Sequence, residues 1–421
     1  MIDYEKALSL VLISAEPMPA CRVRLEDALG YVLARPLTAS FDLPRFDHSA
    51  MDGYGIRVAD LVGAGEHSPR SLPVARTIYA GNSLGGRLQK GTAVKLMTGA
   101  WLPLGVDAVV MQEYCRQKGD EVLIAYSPKP GENIRKRGEE FKKGALVLDA
   151  GTQLTPPAVG LLATFGNSSV EVYRKPAVSI LTIGDELLTP GARCRGGMIY
   201  DSNTYTLAAA LKGMGIAEIS LNQLKDDRRK LRTSLEKELD NSDVILTVGG
   251  VSVGELDLVK EILSNLGVEQ IFWKAAIKPG KPVMFGRYIP TKPAKKSGKP
   301  DPKQRAKLVF GLPGNPVAAL LAFQQLVKPA LHKMTGLKEP RMIILPARLA
   351  APRNKKAGRL EWVRGVVRFK DGKIMVWPTG GQSSHMLGGL AEANCLIQLP
   401  ASQTHFEEGQ EVMVELLNWN E

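Results

Sequence analysis

The run from Asp243 to Leu266, DVILTVGGVSVGELDLVKEILSNL, changes its apolar period halfway along, and few architectures accommodate such a change. Val244, Ile245, Leu246 and Val248 form a short β-branched-rich stretch of the kind buried on both faces of a parallel sheet, and Gly249 and Gly250 end it. Beyond them Val259, Ile262, Leu263 and Leu266 recur at helical spacing. Glu255 and Asp257 fall in the first turn, where carboxylates suit the positive end of the helix dipole. The stretch therefore predicts a strand, a turn and a helix. Glycines at such a turn let backbone N–H groups approach an anion, so Gly249, Gly250, Ser252 and Gly254 form a candidate phosphate cradle. Neither G-x-x-x-x-G-K-[ST] nor G-x-G-x-x-G is present, which excludes a P-loop and a dinucleotide fingerprint. Gly250, Ser252 and Gly254 do spell the G-x-S-x-G of a nucleophile elbow, so a serine hydrolase stays open, with His332, His385 or His405 as its base.

Strand and helix alternate on both sides of this run. AVSILTI, a helix from Ser202 to Met214, AEISLNQL and a helix from Arg228 to Leu239 precede it, and together they predict a doubly wound α/β domain. Ligands of such sheets sit beyond the carboxyl ends of the strands, where Asp185 and Glu186, Asp226 and Asp227, and the glycine turn fall. Carboxylates clustered beside an anion cradle would repel a phosphate unless a divalent cation stood between them. IFWKAAIKPGKPVMFG adds Lys274, Lys278 and Lys281 near the same edge, and KLVFGLPGNP with the helix VAALLAFQQLVKPAL completes the domain near residue 335.

With 421 residues the chain is long for one core, and several domains are expected. Residues 3–13 put Tyr4, Ala7, Leu8, Val11 and Leu12 on one helical face, and VRLEDALG is a second short element ending at Gly30. FDLPRFDHSAMDGYG, residues 41–55, is too polar for a core strand and reads as a loop anchored by Phe46, Met51 and Tyr54. Short β-rich runs over residues 74–126 predict a small all-β lobe, closed by the charged loop PGENIRKRGEEF. The helix PPAVGLLATFG and the strand SSVEVYRKP return the chain to the N-terminal arm. RMIILPARL, LEWVRGVVRFK, an Asp371-Gly372 hairpin turn, IMVWP, NCLIQL and EVMVELL suffice for a small barrel. The expected division is a discontinuous arm of residues 1–44 and 143–175, a β-rich lobe of 45–142, an α/β domain of 176–335 and a C-terminal β-barrel of 336–421.

The net charge is +12, but the basic residues are scattered and no nucleic-acid-binding signature appears, so an anionic small substrate is expected rather than nucleic acid. Part of the excess lies in Arg287 to Lys307, a Pro- and Lys-rich run that reads as a flexible loop between two strands. No apolar run is long enough to span a bilayer, and MIDYEKALSL carries acids where a secretory signal carries basic residues. The expectation is a cytoplasmic protein without a membrane partner. Cys21, Cys115, Cys194 and Cys395 are far apart, so any metal would need oxygen ligands.

PRFDHSAMDGYG, KLMTGAWLP, PGENIRKRGEE, TIGDEL, GGVSVGELD, KPGKP, GLPGNP and QSSH, in this order over nearly the whole length, resemble the molybdopterin molybdenumtransferases, the MoeA and gephyrin E-domain family. The resemblance implies that the α/β domain binds molybdopterin. It also implies an enzyme that takes adenylyl-molybdopterin and molybdate, releases AMP and leaves molybdenum on the pterin dithiolene. By family position Asp52, Thr98, Glu186, Asp257, Lys274 and Lys278 are the catalytic set, with Asp52, Glu186 and Asp257 as candidate Mg²⁺ ligands. Gly249, Gly250, Ser252, Gly254, Glu140, Asp226, Asp227, Lys281, Pro313, Gly314, Asn315, Arg364 and Ser384 would line the cofactor site. The family works as a homodimer, and a molybdopterin-adenylylating enzyme would be the upstream donor. Ile183 stands where the family has Thr, and Glu140 replaces the commoner Asp, which lengthens its reach by one methylene. A gephyrin-like scaffold without catalysis is the remaining alternative.

Overall fold

The computed structural model of the chain describes residues 1–81, 86–249, 256–290, 305–338, 342–417 and 419, with the backbone alone at 256 and 257. The turn residues Gly250, Ser252 and Gly254 and the basic loop from Pro293 to Gln304 lie outside the described residues. Val244–Val248 is buried at every position. Such a strand needs cover on both faces, and it has it. It belongs to a six-stranded sheet in the order Ile219–Leu224, Val178–Ile183, Val244–Val248, Lys307–Leu312, Met284–Tyr288, Glu269–Trp273. The first four strands are parallel, and the last two pair antiparallel. Alternation along each strand sends Val178, Ile180, Val244 and Leu246 into one core with Leu207 and Leu211. Leu181, Ile183 and Ile245 enter the other with Leu231, Leu235, Ile262 and Leu263. This is the expected doubly wound domain, and the helix after the glycine turn runs from Leu256 to Asn265.

Three elements differ from the sequence reading. The run of residues 41–55 is not a loop throughout: Gly53–Ile56 is a strand buried at every position between two others, and Met51 is exposed rather than an anchor. VRLEDALG is not one element: Ala20–Arg24 is a strand paired with Ser169–Tyr173, and only Leu25–Asp27 turns, as a single 3-10 turn. VAALLAFQQLVKPAL is not one regular helix either. It runs Pro316–Ala322, widens to a π-turn over Phe323–Val327 and resumes as Lys328–Met334. Pro329 has no N–H for the carbonyl four residues back, so the backbone must rearrange in that turn.

At the C-terminus five strands close a barrel. Leu360–Lys370 pairs with both Lys373–Pro378 and Cys395–Leu399, and Ile344–Leu349 and Glu411–Leu416 complete the ring. The Asp371-Gly372 turn has φ of 50° and 75°, the left-handed pair that a two-residue hairpin requires. Glu415, fully buried on a barrel strand, accepts from Gln324 Nε2 at 2.9 Å and Gln325 Nε2 at 2.6 Å, and Gln325 Oε1 accepts from Tyr4 Oη at 3.0 Å. Burial pushes the Glu415 carboxyl above its usual range.

The chain divides into two units, Met1–Arg35 with Gly151–Val159 and Ser168–Glu421, and Pro36–Ala150 with Gly160–Asn167. The second is built on a six-stranded sheet in the order Ala108–Met111, Gly53–Ile56, Ala93–Leu96, Arg70–Ile78, Glu121–Ile124, Cys115–Lys118. Tyr54, Ile56, Ala93 and Val110 pack into one of its cores, and Ile78, Leu96 and Val109 into the other. Among the described residues no helix is long and apolar enough to cross a membrane.

Gly249 has φ of 83°, and a Cβ there would run into the Ile183 carbonyl oxygen. Gly267 has φ of 90° but open space, with Tyr288 Cε2 at 3.8 Å. Alanine at either position meets left-handed strain of about 1–3 kcal/mol, but only position 249 adds a backbone clash of about the same size. Urea denaturation should therefore show Gly249→Ala to be the more destabilised by at least ~1 kcal/mol. Equal midpoints would refute the packing argument.

Candidate active site

The acid at position 52 is fixed by its neighbours before any ligand arrives. Asp52 Oδ1 accepts the Thr98 backbone N–H at 2.6 Å and the Thr98 hydroxyl at 2.8 Å. The Thr98 N–H first, and then its hydroxyl, hold the Asp52 carboxyl below its usual range. Gly53 follows because a Cβ there would strike the Val110 carbonyl. Ser49, buried beneath the loop, donates to Met51 O at 2.5 Å and exchanges backbone bonds with Gly99 and Ala100 at 2.8 and 3.0 Å. Phe46 stacks on Trp101 with ring centroids 4.4 Å apart.

The charged loop of residues 130–141 is locked onto the same segment. Asp47 accepts Arg137 N at 2.8 Å and Lys136 Nζ at 3.0 Å, Asp42 accepts Arg137 Nε at 2.6 Å, and Asn133 O accepts Ala50 N at 2.9 Å. FDHSAMDG, MTGAW and GENIRKRGEE are thus one constellation in the second unit. Glu140 lies exposed on it, with its backbone N–H on Leu43 O at 3.0 Å. Asp42, Asp47 and Asn133 are positioning residues that the sequence reading did not single out, although aspartates flanking Phe-Asp-His could have suggested anchors for a basic loop.

In the first unit the strand ends make a continuous line. Glu186 is exposed and folds its carboxylate back over Gly184, so that a Cβ on Gly184 would meet Glu186 Oε2 at 2.5 Å. Gly249 rests on the Ile183 carbonyl, and a Cβ on Gly314 would lie 3.7 Å from the Gly249 Cα. Asn203 Nδ2 holds Gly314 O at 2.7 Å, Asn315 Nδ2 donates to Ser384 Oγ at 3.0 Å, and Val317 N donates to Ser384 O at 3.1 Å. Pro313 is buried beneath this turn. Arg364 follows: its Nη2 donates to Gly381 O and, at 3.3 Å, to Ser383 O, while Gln382 Oε1 accepts Arg364 N at 3.1 Å. The guanidinium is fully buried, and its Nε and Nη1 find no hydrogen-bond partner. Burial, and then the charge of Arg353, push its pKa below the ordinary arginine value. Asn203, in the first turn of the helix Asn203–Gly213, and Gln382, which opens QSSH, were missed in the sequence.

The remaining predicted residues are placed as follows. Asp227 caps the helix Arg228–Asn241, its Oδ1 accepting the N–H groups of Arg229 and Lys230 at 3.0 Å, and Asp226 is exposed beside it. Lys274 has φ of 71°, with its backbone tied to Val283 O at 2.9 Å and to Ile2 N at 3.2 Å. Lys281 is exposed, and Lys278 Nζ is 3.2 Å from Glu361 Oε2. Asp257 lies in the first turn of its helix, its side chain outside the described residues, like Ser252. His332 is buried in the helix Lys328–Met334, His385 is exposed, and His405 Nδ1 lies 2.6 Å from Asn354 Oδ1.

The described residues hold no group of three or more acids, histidines or cysteines arranged for a metal. The donors nonetheless fit Mg²⁺, which takes oxygen ligands, keeps several waters and is held through one or two carboxylates together with substrate phosphates rather than in an all-protein cage.

A doubly wound sheet with glycine turns at its strand ends, joined to a closed barrel that buries an arginine, is the frame of an α/β protein whose candidate ligand edge lies at the carboxyl ends of the strands. Three family models match in succession: MoeA N-terminal region (domain I and II) over residues 2–166, probable molybdopterin binding domain over 179–333 and MoeA C-terminal region (domain IV) over 346–417. A molybdopterin molybdenumtransferase of Haemophilus influenzae is 37% identical over 99% of both chains, and one of Nostoc sp. is 36% identical over 93% of this chain and 87% of its own. The crystal structure of a molybdopterin biosynthesis MoeA protein from Pyrococcus horikoshii superposes with a TM-score of 0.80 at 30% identity, covering 99% of this chain and 100% of that one. The chain belongs to the molybdopterin molybdenumtransferases, a family of transferases in molybdenum cofactor biosynthesis.

The Asp52–Thr98 pair sets a pH dependence. The folded pKa of this acid is lowered, so the stability it adds is present above its unfolded pKa, about 3.9, and is lost as pH falls through the folded value. Carboxyl-carbon NMR should place the Asp52 titration below about 3.9 and show it moving up in Thr98→Val. An unshifted titration in that variant would mean that the hydroxyl contributes nothing.

Proposed function

We propose that the protein inserts molybdate into adenylylated molybdopterin and releases AMP, giving molybdenum-molybdopterin. The observation that carries this reading is Arg364: a buried guanidinium with Nε and Nη1 unpartnered, beside Ser384 and Asn315, calls for anionic oxygens, since an unpaired buried charge is costly. Arg364 and Ser384, with Lys274, Lys278 and Lys281, hold the oxyanion and the phosphates. The closely packed Gly249 and Gly314 turns bring their backbone to the strand ends, where a flat pterin would lie. The acids assigned to Mg²⁺ or molybdate are Glu186 and Asp257 in the first unit and Asp52 in the second, with Asp226 and Asp227 as further acids of the first unit and Glu140 of the second. Mg²⁺, when bound, supplies charge neutralisation at the phosphoanhydride. Asp52, ionised at neutral pH like any ordinary aspartate, is held in one orientation by the two Thr98 donors, so it faces its ligand as a fixed anion.

The working unit in this proposal is a cytoplasmic homodimer that receives its substrate from a molybdopterin-adenylylating enzyme. The test is AMP release from adenylyl-molybdopterin, which should require both Mg²⁺ and molybdate. Glu186→Gln and Asp257→Asn should each lower the rate by a factor on the order of 10² while pterin binding persists. A helix-end role at position 257 would cost only about 0.3–2 kcal/mol of stability and leave the rate unchanged. Release without any divalent cation, or wild-type rates in both variants, would sink the reading. A fluorophosphonate should leave Ser252 unlabelled, and stoichiometric labelling would revive the hydrolase.

A further inference from the structure

The strand Arg70–Ile78 carries one residue too many for its neighbour. It pairs in parallel with Ala93–Leu96, Val74 opposite Ala93 and Thr77 opposite Lys95, so three steps on one strand meet two on the other. Bulges in parallel pairs are rare, and they bend the longer strand and re-aim its side chains. The extra position falls at Ala75–Arg76, and beside it opens a cavity of about 290 Å³ whose polar groups come from Arg76, Arg87, Gln89 and Thr92. Leu88, Val94 and Pro103, all buried, are its apolar lining. Leu88 and Val94 belong to one core of the second unit, so the floor of the cavity is the edge of that core.

The loop that carries Arg87 is tied down. Leu88 N donates to Leu104 O at 2.8 Å and Leu104 N to Gly86 O at 3.0 Å, which sets Arg87 in a parallel bridge with Leu104. Thr92 N and Oγ1 both donate to Gln89 O, at 3.3 and 2.9 Å, and Asp60 Oδ2 accepts Gly91 N at 2.9 Å. A Cβ on Gly86 would lie 3.7 Å from Arg76 Nη2, so the Arg76 guanidinium reaches the residue next to Arg87. Neither arginine side chain has an ion pair or a hydrogen bond among the described residues, and Asn82 to Gly85, the four residues before Gly86, include no acid. Two guanidinium groups brought to one cavity without an acid repel each other, and an anion between them would relieve the repulsion.

This cavity lies apart from the candidate active site. Thr92 stands where the strand Ala93–Leu96 begins, whereas Thr98 and its partner Asp52 lie where it ends. Size narrows the ligand. The volume equals that of roughly ten waters of about 30 Å³ each, whereas a bare oxyanion displaces about two or three. A dicarboxylate of about four to six carbons has about eight to ten non-hydrogen atoms, which suits this room, and a nucleotide, with more than about twenty, exceeds it. Shape agrees with size. An arginine fork presents parallel N–H groups to the two oxygens of a flat carboxylate, and two forks match two carboxylates.

We propose that the cavity at the bulge binds a small organic dicarboxylate, with Arg76 and Arg87 on its carboxylates, the Gln89 amide as a further donor and the methylenes over Leu88, Val94 and Pro103. The site does not depend on the reaction proposed above, because none of its lining residues belongs to the set assigned to substrate, Mg²⁺ or molybdate.

The test is calorimetric titration of the full chain with glutarate and, separately, with sulfate and with glycerol phosphate. Saturable glutarate binding is expected, weakened about tenfold or more in Arg76→Gln/Arg87→Gln and unchanged in Ser384→Ala. The unmutated protein supplies a second readout. Under modification with phenylglyoxal, glutarate should protect Arg76 and Arg87 and leave Arg116, exposed on the edge strand Cys115–Lys118, reactive. No saturable binding, an unchanged affinity in the double variant, or no selective protection would overturn the proposal. Sulfate binding as tightly as glutarate, or glycerol phosphate binding more tightly, would overturn the dicarboxylate assignment.

Discussion

The carbonyl oxygen of Ile183 occupies the place where a side chain on residue 249 would begin, and the arrangement of the first unit follows from that contact. Val178–Ile183 and Val244–Val248 pair in parallel without a register shift, Val178 opposite Val244 and Thr182 opposite Val248, so their carboxyl ends lie level. The chain leaving the second strand must then cross the end of the first at van der Waals distance, which only glycine permits. Because Gly314 packs against Gly249 in turn, the loop after a third strand is drawn to the same spot. Asn315 and Ser384 carry the contact on to the barrel. Glu186, Asn315, Ser384 and Arg364 thus belong to one continuous edge, although they span almost half the chain.

Charge in this molecule is placed by what already holds it. Asp52 and Asp227 each spend an oxygen on two protein donors before a ligand arrives, so their orientation is set in advance. The buried pair Glu361 and Glu415 divides differently. Glu415 is met by two glutamine amides and has no reach toward a cavity, so it joins the barrel to the helices and to Tyr4. Glu361 is met by two cations at the floor of a recess, where it fixes the direction of Lys278. The same residue type, buried in both places, serves cohesion in one and orientation in the other, and the partner decides which.

Most of the fold was legible because periodicity reports burial directly. The strand, turn and helix at 243–266, the alternation before it and the barrel strands follow from periods of 2 and 3.6, and the Asp371-Gly372 hairpin from its turn residues. VRLEDALG misled because its edge strand is set by Ser169–Tyr173, a partner more than a hundred residues away that a local window does not contain. The π-turn escaped because VAALLAFQQLVKPAL is apolar throughout and reads as one helix, whereas the missing N–H of Pro329 acts one turn upstream. Of the candidate residues, the motif acids and lysines were named from the family pattern, but their supports were not. Asp42 and Asp47 meet Arg137 from about ninety residues away, a pairing that no spacing encodes.

Arg364 and the recess at the barrel, lined by Lys278, Lys355, Lys356, Arg359 and Glu361, mark the limit of such reading in opposite ways. An arginine inside a run of strand-forming residues, LEWVRGVVRFK, is conspicuous, and strand alternation alone places it beside Trp362 rather than Val363. What the sequence withholds is the absence of a partner for its Nε and Nη1, which depends on every group that packs around it. Lys355, Lys356 and Arg359 look like ordinary solvated cations in PRNKKAGRL, and scattered basic residues gave no reason to single them out. They acquire meaning only when the parallel pairing of Ile277–Lys278 with the long barrel strand brings Lys278 and Glu361 to the same recess. A lone lysine is a surface charge, whereas lysines gathered around an acid that is already matched give that recess a net positive charge.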